Sequence, residues 1–143
     1  MKIHFFFLIF LLSVCLMTAC GSRTVSQDSD PSAILSAYVG DDHTRITVSH
    51  MLAGRTTETA LTGDSIAILK TWLNGLEAEA RELEEGNAPG EAEEGGEVWH
   101  FTLEGGRYTD FSYVKSGPEE CWLYMEEHWY AVTNPSDPPA WEN

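Results

Sequence analysis

Two patterns in the chain point to an α+β domain built on an antiparallel sheet. Apolar residues alternate with polar ones in both halves of the sequence, over Arg45–Met51 and again over Val98–Leu103. Between these segments the period changes. Ile66, Leu69, Leu73, Leu76, Ala80 and Leu83 are spaced three and four apart, which places them on one helix face. Strands, then a helix, then strands imply several antiparallel strands with one amphipathic helix packed on a face.

Ordered structure is expected from Ala33 onward. Ile34–Val39 fits either a strand or a short helix, and Gly40-Asp41-Asp42-His43 is turn chemistry. In the first alternating segment Ile46, Val48 and His50 share one face, with Thr47 and Ser49 on the other. Ala53-Gly54-Arg55 turns the chain, and the β-branched stretch Thr56–Leu61 returns it. Two or three strands fit this region.

Thr62-Gly63-Asp64-Ser65 offers N-capping side chains, so a helix is predicted over Asp64–Asn74. Gly75 either ends it or lies inside a longer helix reaching about Glu84. The strong helix formers from Leu76 to Glu85 favour continuation. Residues 86–96 form an acidic loop containing Asn-Ala-Pro-Gly and Glu-Glu-Gly-Gly.

The C-terminal half reads as two hairpins. A two-residue loop at Gly105-Gly106 would set Phe101 opposite Asp110. A three-residue loop, Gly105-Gly106-Arg107, pairs Phe101 with Phe111 and Trp99 with Tyr113, and aromatic pairing on one buried face favours it. The second hairpin runs Cys121–Val132 across Glu126-Glu127, a poor two-residue turn because it lacks Gly and Asn. One face carries Cys121, Leu123, Met125, His128, Tyr130 and Val132, and the other Trp122, Tyr124, Trp129 and Ala131. Both faces are apolar, so either the hairpin is covered on both sides or aromatic rings are exposed. Residues 134–143 form an irregular, proline-rich tail.

The N-terminus has a different character. After Lys2, the stretch from Phe5 to Met17 is almost wholly apolar. It matches a signal h-region and falls short of the roughly 20 residues a bilayer-spanning helix needs. Met17-Thr18-Ala19-Cys20 resembles the lipobox of bacterial lipoproteins, with Met17 where Leu is usual. The resemblance implies that diacylglycerol is attached to Cys20 and that residues 1–19 are removed as a signal peptide. It covers only about the first 21 residues. The wider layout is similar to the short lipoproteins common in Gram-positive bacteria. Gly21, not the Asp associated with inner-membrane retention in Gram-negative cells, follows the cysteine.

Residues 20–32 then form the lipidated cysteine and a flexible tether, with an r.m.s. reach of about 20 Å. Residues 33–133 form a single domain. Seven of the eight basic residues remain after cleavage against all 23 acidic ones, a formal −16. Such a surface repels nucleic acid and anionic lipid headgroups, which leaves the lipid on Cys20 as the membrane contact.

With Cys15 in the signal and Cys20 lipidated, only Cys121 remains, so no intramolecular disulfide is expected. Cys121 is also the one candidate thiol nucleophile. His128 lies about 13 Å away along the hairpin at roughly 3.3 Å per residue, so it is not its base. Asp41-Asp42-His43 and Glu126-Glu127-His128 lack zinc or EF-hand spacing, and no metal or cofactor is expected. No nucleophile elbow, phosphate-binding loop or Cys-x-x-Cys is present.

The remaining feature is aromatic: Trp122, Tyr124 and Trp129 form a candidate surface for a partner protein or glycan. The expectation is a non-enzymatic, lipid-anchored binding module facing outward at the cell membrane. The alternative is a small surface hydrolase using carboxylates or Cys121. The anchor is checked by the intact mass of the membrane-extracted protein. Loss of residues 1–19 with gain of a diacylglycerol is the expected result, and an unmodified chain in the medium would contradict it.

Overall fold

Asp30-Pro31-Ser32 decides where the ordered chain begins. The Asp30 carboxylate accepts the Ser32 backbone N–H at 3.0 Å, and Pro31 supplies the fixed φ of a first helical turn. Helix α1 therefore spans Pro31–Gly40, and Leu35 and Tyr38 are its buried residues. This settles Ile34–Val39 as helix. It also moves the start of the domain back from Ala33 into the stretch expected to be tether. In this computed structural model residues 30–81, 83, 88–89 and 96–141 are described. The signal segment, Cys20, the tether up to residue 29 and most of the acidic loop lie outside the described residues.

Strands β1 (Arg45–Leu52) and β2 (Arg55–Leu61) pair as a hairpin, with Leu52 opposite Arg55. Its turn residues Ala53 and Gly54 both have positive φ, the two-residue geometry that matches strand twist. Helix α2 follows over Asp64–Asn74. Its N-cap is Gly63 and no side chain caps it, contrary to the expected polar cap. Asp64 in the first turn instead complements the helix dipole.

Continuation of this helix past Gly75 is overturned. Asn134 accepts the Glu77 N–H at 2.6 Å and donates to the Gly75 carbonyl at 2.8 Å, while the Thr133 N–H reaches the Glu77 carbonyl at 2.8 Å. These bonds commit the backbone to the end of the sheet. Ala78–Ala80 becomes strand β3, with Ala78 opposite Val132 and Ala80 opposite Tyr130. Helix propensity offers only tenths of a kcal/mol per residue, less than these tertiary hydrogen bonds.

The C-terminal half is a meander of β4 (Glu97–Glu104), β5 (Asp110–Lys115), β6 (Cys121–Met125) and β7 (His128–Val132). The full sheet has seven antiparallel strands in the order β2-β1-β4-β5-β6-β7-β3. The fold is α+β, with two helices where one was expected. None of the described helices is long and apolar enough to cross a membrane.

Both hairpin registers follow the aromatic pairing. Trp99 lies opposite Tyr113 and Phe101 opposite Phe111, whose rings stack at 4.3 Å. The Leu103 N–H donates to the Thr109 carbonyl at 2.7 Å and closes the three-residue loop. Inner-face residues of β1, β2 and β4–β7 share one buried cluster with Leu35 and Tyr38 of α1 and Ile66, Leu69 and Leu73 of α2. A second, smaller cluster of Val114, Trp122 and Ala131 occupies the opposite face of the sheet. Both faces of the final hairpin thus bury apolar residues, Trp122 and Ala131 on the second face, while Tyr124 and Trp129 stay half-exposed, so each of the two alternatives holds in part.

Candidate functional site

The turn between β6 and β7 consists of Glu126 and Glu127. Met125 pairs with His128, so only two residues connect the strands, and both have positive φ, 50° and 64°. That conformation suits Gly and Asn. A side chain with a Cβ costs about 1–2 kcal/mol there. Strand twist imposes the geometry, and the sequence fills it with two carboxylates.

These carboxylates line a cavity of about 460 Å³ together with Thr109, Asp110 and Tyr124. Its walls come from the start of β5, the end of β6 and the turn. Tyr124 stands directly opposite Trp129, and their rings lie 4.8 Å apart at 45°. Both are half-buried, and Trp129 packs against the Val114–Trp122–Ala131 cluster. Three acidic side chains and an aromatic pair therefore meet at one corner of the sheet.

The corner is held from behind. The Tyr38 hydroxyl on α1 lies 3.0 Å from the Asp110 carbonyl and 3.2 Å from Glu126 Oε1. Burial, reinforced by the Glu126 carboxylate, raises the Tyr38 phenol well above its ordinary range. It stays a neutral donor. The Tyr108 ring stacks on Tyr38 at 4.1 Å, and Phe111 meets Tyr38 edge-on at 5.7 Å.

Of the aromatic trio singled out in the sequence, the structure brings Tyr124 and Trp129 together at the surface but withholds Trp122. Trp122 is 4 % exposed. The Arg81 guanidinium lies 5.7 Å from its ring centroid, Leu83 packs against its cluster, and its indole N–H donates to Glu120 at 3.2 Å. It belongs to the second core. Strand alternation places all three rings on one face, and only the cover from the segment after β3 separates them.

Cys121 is free and buried. Burial pushes its thiol upward, and the Tyr113 hydroxyl lies near it. Burial also raises the Tyr113 phenol, whose hydroxyl donates to the Ser136 carbonyl at 2.9 Å. A neutral thiol beside a neutral phenol is a poor nucleophile.

Three of the described histidines are occupied elsewhere. His128 bonds the Glu126 carbonyl at 2.6 Å, His50 pairs with Glu97 at 2.7 Å and stacks on Trp99, and His100 meets Ser112 at 3.0 Å. His43 is enclosed beside Asp41. Asp41 itself serves as a loop staple, accepting the Tyr108 N–H at 3.0 Å and the Arg107 N–H. Among the described residues no group of three or more His, Cys, Asp or Glu side chains is arranged to hold a metal ion.

The chain matches no protein-family model, no curated protein and no solved structure. The geometry of this corner therefore carries the functional argument alone. The state of Cys121 is checked with a thiol-alkylating reagent at pH 8. The native protein is expected to react roughly a hundredfold more slowly than the urea-unfolded chain. Equal rates would show an accessible, ionisable thiol.

Proposed function

We propose that this chain is a lipid-anchored, extracytoplasmic binding module, held at the membrane through Cys20. Its corner at the β6–β7 turn takes a cationic group of a surface partner. The lipobox resemblance supports the anchor. The observation that supports the binding site is the pair of glutamates held at positive φ on the wall of a 460 Å³ cavity. Turn chemistry alone selects against Glu at both positions, and strain of this kind is found where a site needs the side chain.

The corner suits an ammonium or guanidinium in two ways. Asp110, Glu126 and Glu127 supply negative charge, and Tyr124 and Trp129 offer ring faces to a cation, worth about 0.5–1 kcal/mol at an exposed site. The mature charge of −16 steers such a partner toward the surface. On this reading the helices cover the inner face of the sheet and leave the Tyr124–Trp129 corner to solvent. The partner is a basic segment of a surface protein, or a wall glycan bearing free amines.

The hydrolase alternative has less support. Its thiol version meets a buried, neutral Cys121. Its carboxylate version would draw on the same acidic corner, and turnover of chromogenic glycosides by the full chain would favour it over binding.

The test is a chemical-shift titration of the full chain in detergent with a lysine-rich peptide and, separately, with a neutral glycan. Saturable shifts at Tyr124, Trp129 and Glu127 are expected with the peptide. They should weaken at least tenfold in apparent affinity between about 0.05 and 0.5 M salt. Unchanged resonances at these residues, or equal response to the neutral glycan, would contradict the reading.

A further inference from the structure

The two faces of the sheet differ in what covers them. Helices α1 and α2 pack on the inner face. On the outer face one row crosses six strands in register: Glu58 on β2, Ser49 on β1, His100 on β4, Ser112 on β5, Tyr124 on β6 and Trp129 on β7. Glu58 is exposed and the other five are half-buried. Neighbouring strands lie about 4.8 Å apart, so the row spans about 14 Å from His100 to Trp129. Its members touch. His100 Nδ1 lies 3.0 Å from Ser112 Oγ, and the Tyr124 and Trp129 rings are 4.8 Å apart.

The row is bordered on both sides. Along one, Val114, Trp122 and Ala131 are buried, with Leu83 packed against them and Arg81 over the Trp122 ring. Along the other lie Asp110 and the Glu126-Glu127 turn, on the wall of the acidic cavity that Tyr124 also lines. A polar row on an outer sheet face ordinarily meets only water. This one runs into an aromatic pair and a cavity whose charged residues are all carboxylates. Strands β1 and β4–β7 are hydrogen-bonded on both sides, so their backbone groups are used within the sheet. A peptide strand gains no ladder from this face. What the face offers is hydroxyls and an imidazole, which can donate and accept, followed by half-buried rings. The His100–Ser112 contact uses one ring nitrogen and one bond of the hydroxyl, which leaves both residues further capacity.

From this register we infer that the acidic corner is one end of a glycan track, and that its partner is an oligosaccharide of amino sugars with free amines, lying across β4–β7. An ammonium meets Asp110, Glu126 and Glu127 at the corner. The apolar C–H face of a pyranose packs on Tyr124 and Trp129, as apolar groups do on aromatic rings. The sugars that follow bond Ser112, His100 and Ser49, since sugar hydroxyls donate and accept as these side chains do. The step from strand to strand is close to the advance of an extended hexose chain from one ring to the next. The inference rests on the reading of the corner as a cation site, and it narrows the partner of that site to a glycan. A basic peptide satisfies the carboxylates but leaves the row from Ser112 to Ser49 unused.

The test is a chemical-shift titration of the full chain in detergent with three probes: a glucosamine tetrasaccharide, its fully N-acetylated counterpart and a lysine-rich peptide. The glucosamine tetrasaccharide is expected to shift the His100 ring and the Ser112 and Ser49 amides together with Tyr124 and Trp129, along one binding curve. The peptide should shift Tyr124, Trp129 and Glu127 without His100 or Ser49. The N-acetylated sugar should bind about tenfold more weakly than the free amine. In S112A the affinity for the glucosamine tetrasaccharide should fall about fivefold, while that for the peptide stays within about twofold. Tetrasaccharide shifts confined to the corner, with peptide binding intact, would overturn the track and leave the cation site standing. A corner silent toward all three probes would overturn both. Peptide shifts that extend to His100 and Ser49 as strongly as those of the sugar would overturn the choice of a glycan. The wild-type shift maps decide the matter if S112A does not fold.

Discussion

The stack of Phe101 on Phe111 is the constraint on which the rest of the structure depends. The described part of the chain has one cysteine, and it is free, so the sheet is held by burial and pairing alone. Phe101 is fully buried and Phe111 nearly so, at the centre of the inner face. Their pairing requires a three-residue loop. That loop puts Asp110 and Thr109 at the corner and presents the Arg107 and Tyr108 amides to Asp41. The next strand follows in register, setting Tyr124 opposite Ser112 and then opposite Trp129. A one-residue slip would turn every one of these side chains to the other face.

Much of this was legible because the informative residues are close in sequence. The β4–β5 register could be read from Trp99, Phe101, Phe111 and Tyr113, since only one loop length pairs them. The β6–β7 register was legible despite its turn, because alternation on both sides of Glu126-Glu127 permits one pairing. The helix Asp64–Asn74 was legible with both its bounds, but the preference for its continuation past Gly75 was wrong. Asn134, which redirects the backbone at Glu77, lies 57 residues away, and the local sequence from Leu76 to Glu85 favours helix. The cap at Asp30-Pro31-Ser32 was visible but was absorbed into a polar stretch expected to be tether.

The candidate site divides along the same line. Tyr124 and Trp129 were readable as sharing a face, but alternation alone did not say whether that face was core or surface. Trp122 shares their alternation, and its burial depends on Arg81 and Leu83, which arrive through the unforeseen strand β3. Tyr38 was invisible as a contributor because a helix from the other end of the chain places it 88 residues from Glu126. The signal for the site was the turn itself. Two glutamates at positions that ask for Asn and Gly break a local rule, and such breaks are where function is expected to override stability.

The central claim is that this turn is kept strained for the sake of its carboxylates. The most direct measurement is the unfolding free energy of Glu127→Gly beside its affinity for the lysine-rich peptide. Gly at φ 64° relieves the strain, so the variant should be more stable by about 1 kcal/mol and bind the peptide more weakly. A variant that is no more stable and binds as well as the wild type would contradict the account.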